Sequence, residues 1–82
     1  MSQHAKLLLR ILRGTSDVNI GFDELCGLLI HLGFEVRARG SHHVFTKSAV
    51  AELINLQRDG NHAKPYQVKQ VRNIIVKYKL EA

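Results

Sequence analysis

The chain has 82 residues, among them 12 lysines and arginines against 7 aspartates and glutamates, which gives a formal net charge of +5. Because so short a chain buries only one modest core, residues 1–82 are predicted to form a single domain, and a two-lobed enzyme with a cofactor cleft is disfavoured. The positive charge favours a polyanionic partner, either a nucleic acid or an acidic protein surface.

The cysteine content and the N-terminal residues indicate where the protein is expected to work. The single cysteine, Cys26, cannot form an internal disulfide, which is typical of a reducing compartment. The N-terminal residues contain no sustained apolar run, so neither a signal peptide nor a membrane span is predicted. The expected location is the cytoplasm, and no cofactor is expected.

Two helices are predicted in the first part of the chain. Residues 6–13 are rich in leucine and stop at Gly14, which is typical of a short helix ended by a left-handed glycine. After a polar stretch, apolar residues at spacings of three, four and three form one face of a second helix, which Gly33 ends. These residues are Phe22, Leu25, Leu29 and Leu32.

Three strands are predicted next, and the Gly40-Ser41 turn lies between the first two. The strands are residues 34–39, 42–47 and 52–57. Their alternation predicts which side chains face the core. These side chains are Phe34, Val36, Ala38, Phe45, Ile54 and Leu56.

A polar loop over residues 58–64 and a last helix from Pro65 complete the predicted elements. Proline is favoured at the first helical position because its missing N–H has no intrahelical role there. The helix carries an apolar stripe expected to pack on the sheet, formed by Val68, Val71, Ile75 and Tyr78. A basic face expected to remain in solvent is formed by Lys69, Arg72 and Lys79.

This order of elements predicts an α+β fold in which helices cover one side of a three-stranded antiparallel sheet. Residues 22–80 form an α-β-β-β-α core, which is the arrangement of double-stranded-RNA-binding domains. Residues 1–21 form an N-terminal extension that contains the extra helix. Topology alone says little about activity.

The second strand carries the candidate chemistry, because it begins with His42 and His43. If Phe45 faces the core, alternation places His43 on the core side and His42 on the opposite face. Imidazole, with an unperturbed pKa of about 6.5, can both take and give a proton near neutral pH. RNA carries its own nucleophile in the 2′-hydroxyl, so His42 is a candidate acid–base group for RNA cleavage, although a histidine at a strand start is more often an ordinary polar residue.

No metal site is predicted. His42 and His43 are expected to point to opposite faces of the sheet, and the chain has no His-Xaa₃-His or cysteine-rich spacing.

Three runs occur in order along the chain: Leu32-Gly33-Phe34, Gly40-Ser41-His42-His43-Val44-Phe45 and Lys64-Pro65-Tyr66-Gln67-Val68-Lys69-Gln70-Val71-Arg72. In this order they resemble the HicA family, the ribonuclease toxins of HicA–HicB toxin–antitoxin pairs. The resemblance implies a double-stranded-RNA-binding-like fold, metal-independent endonucleolytic cleavage of mRNA, and inhibition by a HicB-like antitoxin that covers the active face. It also implies that the histidine directly after Gly-Ser, here His42, is catalytic.

Cationic and polar side chains around His42 would stabilise the charge that develops at the cleaved phosphate and hold the flanking phosphates. The candidate RNA-contacting residues are Arg37, Arg39, Ser41, Lys47, Lys64, Lys69 and Arg72. A second acid–base group is not evident from the sequence.

Two other interpretations stay open. The first is a non-catalytic RNA-binding module, which reads an A-form duplex through its phosphates and 2′-hydroxyls and would function without His42. The second is a protein-interaction domain whose basic face binds an acidic partner.

Overall fold

The computed structural model describes residues 2–81, which form three α-helices and a four-stranded antiparallel sheet. The helices are α1 (Gln3–Arg13), α2 (Phe22–His31) and α3 (Pro65–Tyr78), and a short 3-10 helix lies at Asp17–Asn19. The strands are β1 (Glu35–Arg39), β2 (His42–Lys47), β3 (Val50–Asp59) and β4 (His62–Ala63), in this order across the sheet. The predicted α+β class is confirmed, and the elements from α2 onward are compatible with an α-β-β-β-α layout.

The first helix is longer than predicted because a serine caps it. The Oγ of Ser2 accepts a hydrogen bond from the N–H of Ala5 at 3.1 Å, so α1 begins at Gln3 rather than at residue 6. The helix ends at Gly14 with a φ of 70°, the left-handed conformation that was predicted.

One hydrophobic core joins all three helices to one face of the sheet. The sheet contributes Phe45, Ile54 and Leu56, which have no exposed surface, as alternation predicted. From α1 come Leu7, Leu8 and Ile11. From α2 and α3 come Phe22, Leu25, Leu28, Leu29, Val68, Val71, Ile74 and Ile75. Because α1 shares this core, the fold depends on its apolar face as well as on those of α2 and α3.

The outermost strand, β1, lies beyond the cover of the helices. All five of its side chains are exposed, and Val36 keeps 40% of its surface in solvent. Val36 and Ala38 lie on the same side of the sheet as Phe45, as alternation predicted, but the expectation that they pack in the core is wrong, because this edge strand extends beyond the helical layer. Phe34, just before the strand, is buried as predicted.

The fourth strand replaces the polar loop predicted over residues 58–64, and that prediction is wrong. β3 continues into this segment, the chain turns at Gly60 with a φ of 61°, and β4 returns along β3. On the other side of β4, the N–H of Ala63 donates to the carbonyl of Ile20 at 2.9 Å. The strand has only two residues and forms because a segment distant in sequence satisfies its free side.

The sheet leaves its other face to solvent, and we call it the open face. The strand register places Arg39 opposite His42 and His42 opposite Gln57. Two residues further along, Arg37 lies opposite Val44, and Val44 lies opposite Asn55. The open face is formed by Arg37, Arg39, His42, Val44, Asn55 and Gln57. Within residues 2–81, no helix has the length and apolar character needed to cross a lipid bilayer.

Candidate functional site

A row of polar side chains crosses the open face at the start of β2. His42 is exposed there, directly opposite Arg39 of β1 and Gln57 of β3. Side chains that are directly opposite on antiparallel strands have their Cβ atoms only about 4.5–5.5 Å apart. The Nζ of Lys64, the residue before α3, donates to the Oε1 of Gln57 at 3.0 Å. We call these four residues the basic row, because a cation lies at each end.

His42 has a polar neighbour on β3. Its Nδ1 lies 3.4 Å from the Oδ1 of Asn55, which is diagonally across the strand pair. In the tautomer that carries hydrogen on Nδ1, this atom donates to Asn55, and Nε2 keeps a free lone pair. Because Ile54 and Leu56 are predicted to face the core, alternation places Asn55 on the outer face, but only the register of the two strands brings it to His42.

His43 packs on the other side of the sheet, as alternation predicted. Its ring is half-buried and meets the ring of Phe22 edge-on, with the centroids 5.0 Å apart. The buried Nδ1 of His43 has no hydrogen-bond partner among residues 2–81. His42 is therefore the member of the pair that solvent and a polyanion can reach.

Three further residues predicted to contact RNA lie at different distances from the basic row. Arg37 is exposed on the open face of β1, and Ser41 is exposed in the turn directly before His42. Lys47 ends β2, roughly 16 Å along the strand from His42. The Nζ of Lys47 lies against Gly33, in the turn between α2 and β1. Only the first two therefore lie near His42.

Arg72 is not on a solvent-exposed basic face. Its side chain is 19% exposed, and its Nη1 donates to the carboxylate of Asp17 at 2.9 Å and to the carbonyl of Ile11 at 3.3 Å. The prediction of a basic face in solvent is therefore wrong for Arg72, because the 3-10 helix that carries Asp17 packs over it. Lys69 and Lys79, predicted on the same face, are exposed.

The cysteine offers no nucleophile. Burial, reinforced by the carboxylate of Asp23, raises the pKa of the Cys26 thiol to about 11. Since the reactive form is the thiolate, a thiol that stays protonated at neutral pH is a poor nucleophile.

Residues 2–81 contain no group of three or more histidine, cysteine, aspartate or glutamate side chains placed to hold a metal ion. Comparison of the chain with protein-family models, with curated protein sequences and with solved structures finds no match. The functional interpretation therefore depends on the geometry of the basic row. In that row, an exposed imidazole lies between two cations, an arrangement that can bind a phosphodiester and exchange a proton with a hydroxyl group next to it.

Proposed function

We propose that the chain is a metal-independent endoribonuclease of the HicA type, a toxin that cleaves mRNA with His42 as its general acid or base. The observation that carries the proposal is the basic row, in which exposed His42 lies between Arg39 and Gln57, and Gln57 binds Lys64. Cleavage of RNA by its own 2′-hydroxyl requires a proton carrier and positive charge beside one phosphate. The row supplies both.

In the proposed reaction, the 2′-oxygen attacks the adjacent phosphorus while the Nε2 of His42 takes its proton. The bond from phosphorus to the 5′-oxygen then breaks, and that oxygen receives a proton from water. Asn55, by accepting the hydrogen of Nδ1, would direct Nε2 toward the substrate. Arg39 and Lys64 stabilise the additional negative charge of the phosphorane-like transition state. General acid–base catalysis of this kind contributes about 10²–10⁴-fold to a rate.

We propose the corresponding fold and partners as well. The α2-β1-β2-β3-α3 arrangement would be that of a double-stranded-RNA-binding domain, with α1 added before it and β4 inserted before the last helix. The partners would be mRNA and a HicB-like antitoxin whose acidic surface covers the open face, in the cytoplasm. The net charge of +5 supports a polyanionic substrate and an acidic inhibitor alike.

The test compares wild-type protein with His42→Ala and His31→Ala on end-labelled mRNA in EDTA. His31 is an exposed histidine at the end of α2, in the helical layer, so its replacement controls for the loss of an imidazole. We expect cleavage by the wild type and by His31→Ala, and none by His42→Ala. Cleavage by all three proteins would assign the activity to another residue or to a contaminant. Binding without cleavage by all three would favour the non-catalytic RNA-binding module.

A further inference from the structure

An exposed aromatic side chain lies at the Lys64 end of the basic row. Tyr66 is in the first turn of α3, two residues after Lys64, and 66% of its surface is in solvent. Single exposed apolar side chains are common on proteins, so exposure alone indicates no function. What distinguishes Tyr66 is the way in which its hydroxyl is held.

The hydroxyl of Tyr66 is connected to β3 through a buried amide. The Oε1 of Gln67 accepts from the N–H of Gln57 at 2.9 Å, which fixes the orientation of the amide. Its Nε2 therefore points away from the strand and donates to the hydroxyl of Tyr66 at 3.4 Å. Gln67 is only 6% exposed. The tyrosine is thus anchored at its polar end, beside a member of the basic row, while its ring remains in solvent.

We propose that Tyr66 is a stacking surface for an unpaired base of the RNA, next to the phosphate that Lys64 binds. This inference rests on the proposed function and specifies its substrate as a single strand. Aromatic rings bind bases of single strands by stacking, whereas the bases of a duplex are stacked on each other and present their backbone to a protein. Bases and phosphates alternate along a single strand, so a ring beside a cation can contact a base and the phosphate next to it.

The chain contains no tryptophan, so one introduced at position 66 is a unique fluorescent probe. The double variant Tyr66→Trp, His42→Ala binds RNA without cleaving it and is titrated with an unstructured oligoribonucleotide, then with the same strand annealed to its complement. The matched control is Val76→Trp, His42→Ala, since Val76 is also on α3 and is 60% exposed. We expect the single strand to quench the tryptophan of the Tyr66→Trp variant, the duplex to quench it far less, and the control to change little.

A second measurement uses the same His42→Ala background. Tyr66→Ala is expected to weaken binding of the single strand about ten-fold. Tyr66→Phe, which keeps the ring, is expected to retain most of the affinity. Equal quenching by duplex and single strand, equal quenching in the control, or an unchanged affinity of Tyr66→Ala would each overturn the inference.

These experiments distinguish a failure of the proposed stacking surface from a failure of the proposed ribonuclease activity. If the wild type cleaves RNA and Tyr66→Ala binds and cleaves as well as the wild type, the stacking surface is refuted and the ribonuclease stands. If single strands quench as expected and the wild type does not cleave, the stacking surface stands and the ribonuclease is refuted.

Discussion

The two ends of β3 are attached to α3 by similar hydrogen bonds. They differ in charge, because the lysine at one end is paired with a carboxylate and the lysine at the other end is not. At one end, the hydroxyl of Tyr78 accepts from the N–H of Ala51 at 3.2 Å. At the other end, the side chain of Gln67 accepts from the N–H of Gln57 at 2.9 Å. β4 pairs with only two residues of β3, so most of that edge of β3 has no partner strand. Each of these two bonds satisfies a backbone donor on the unpaired part of the edge. The helix thus supplies one acceptor at each end of an edge that the short fourth strand does not cover.

The charged groups around these two bonds behave differently. At the first end, Lys77 donates to the carboxylate of Glu52 at 2.8 Å, so the two charges compensate each other. At the second end, Lys64 donates to the neutral amide of Gln57, and within residues 2–81 neither Lys64 nor Arg39 forms an ion pair. Positive charge left without a carboxylate is available to an anion, whereas compensated charge serves the fold. This difference separates the candidate site from the structural network on the same strand.

Among variants that keep His42, the largest effect is expected when the cation is removed from the Lys64 end of β3, and the same change at the Lys77 end is the control. Lys64→Ala is expected to lower the rate of RNA cleavage roughly 10²-fold, the order of magnitude found when one group that stabilises transition-state charge is lost. Lys77→Ala, the matched control, is expected to cleave RNA at the wild-type rate. Both rates are measured in a single-turnover assay with excess protein. Equal losses in the two variants would show that the ends do not differ in function.

A third cation, Arg72, extends the comparison, because its charge is compensated within the fold by the carboxylate of Asp17. Arg72→Ala leaves the carboxylate of Asp17, which is 22% exposed, without this donor, whereas the carbonyl of Ile11 still accepts from the N–H of Gly14. We expect the free energy of unfolding to fall by about 2 kcal/mol, measured by urea denaturation, because unsatisfied polar groups are costly. RNA affinity should change little. Unchanged stability together with lost RNA binding would instead place Arg72 at the RNA interface.

The next effect concerns the neighbour of His42. Asn55→Ala is expected to lower the cleavage rate roughly ten-fold, because the proton carrier remains but its ring is no longer oriented. Leu53→Ala is the matched control, since Leu53 is also on β3 and is 60% exposed.

The pH dependence of the cleavage rate shows whether Asn55 acts by orienting the ring of His42 or only by supporting the fold. Asn55→Asp is expected to restore much of the rate and to move the pH–rate profile to higher pH, because a carboxylate favours the charged imidazole. An unshifted profile would mean that Asn55 does not act through His42.

Much of the sheet could be predicted because alternation is a local property of the sequence. Phe45, Ile54 and Leu56 were placed in the core and His42 outside it on this basis. The two-residue Gly40-Ser41 turn also brings the flanking residues opposite each other, so the approach of Arg39 to His42 follows from local sequence.

Contacts between distant segments could not be predicted in this way. The helical pattern placed Arg72 in solvent, and only the packing of the 3-10 helix shows that Asp17 covers it. β4 exists because Ile20 pairs with its outer side, and no pattern within two residues reveals that. The bond between Lys64 and Gln57 likewise depends on how α3 meets β3. His42, Arg39 and Lys64 were therefore named as candidates from the sequence, but the contacts of Lys64 with Gln57 and of Asn55 with His42 could not be predicted.

The smallest expected effect tests the structural end of β3 by its dependence on pH. Hydrogen bonds from Lys77 and Tyr78 lower the pKa of Glu52 from its usual 4.5 to about 2. Because the folded protein favours the ionised form, this carboxylate stabilises the fold above pH 4.5, and the stabilisation is lost as the pH falls toward about 2.

The free energy of unfolding of Glu52→Gln, measured by urea denaturation from neutral pH downward, should therefore lie below that of the wild type above pH 4.5 and approach it near pH 2. A difference that stayed constant with pH would mean that ionisation of Glu52 does not stabilise the fold. At neutral pH, Glu52→Gln should still cleave RNA at the wild-type rate, because the charge it removes is compensated within the fold and lies outside the basic row. Loss of cleavage in this variant would show that the two ends of β3 are coupled.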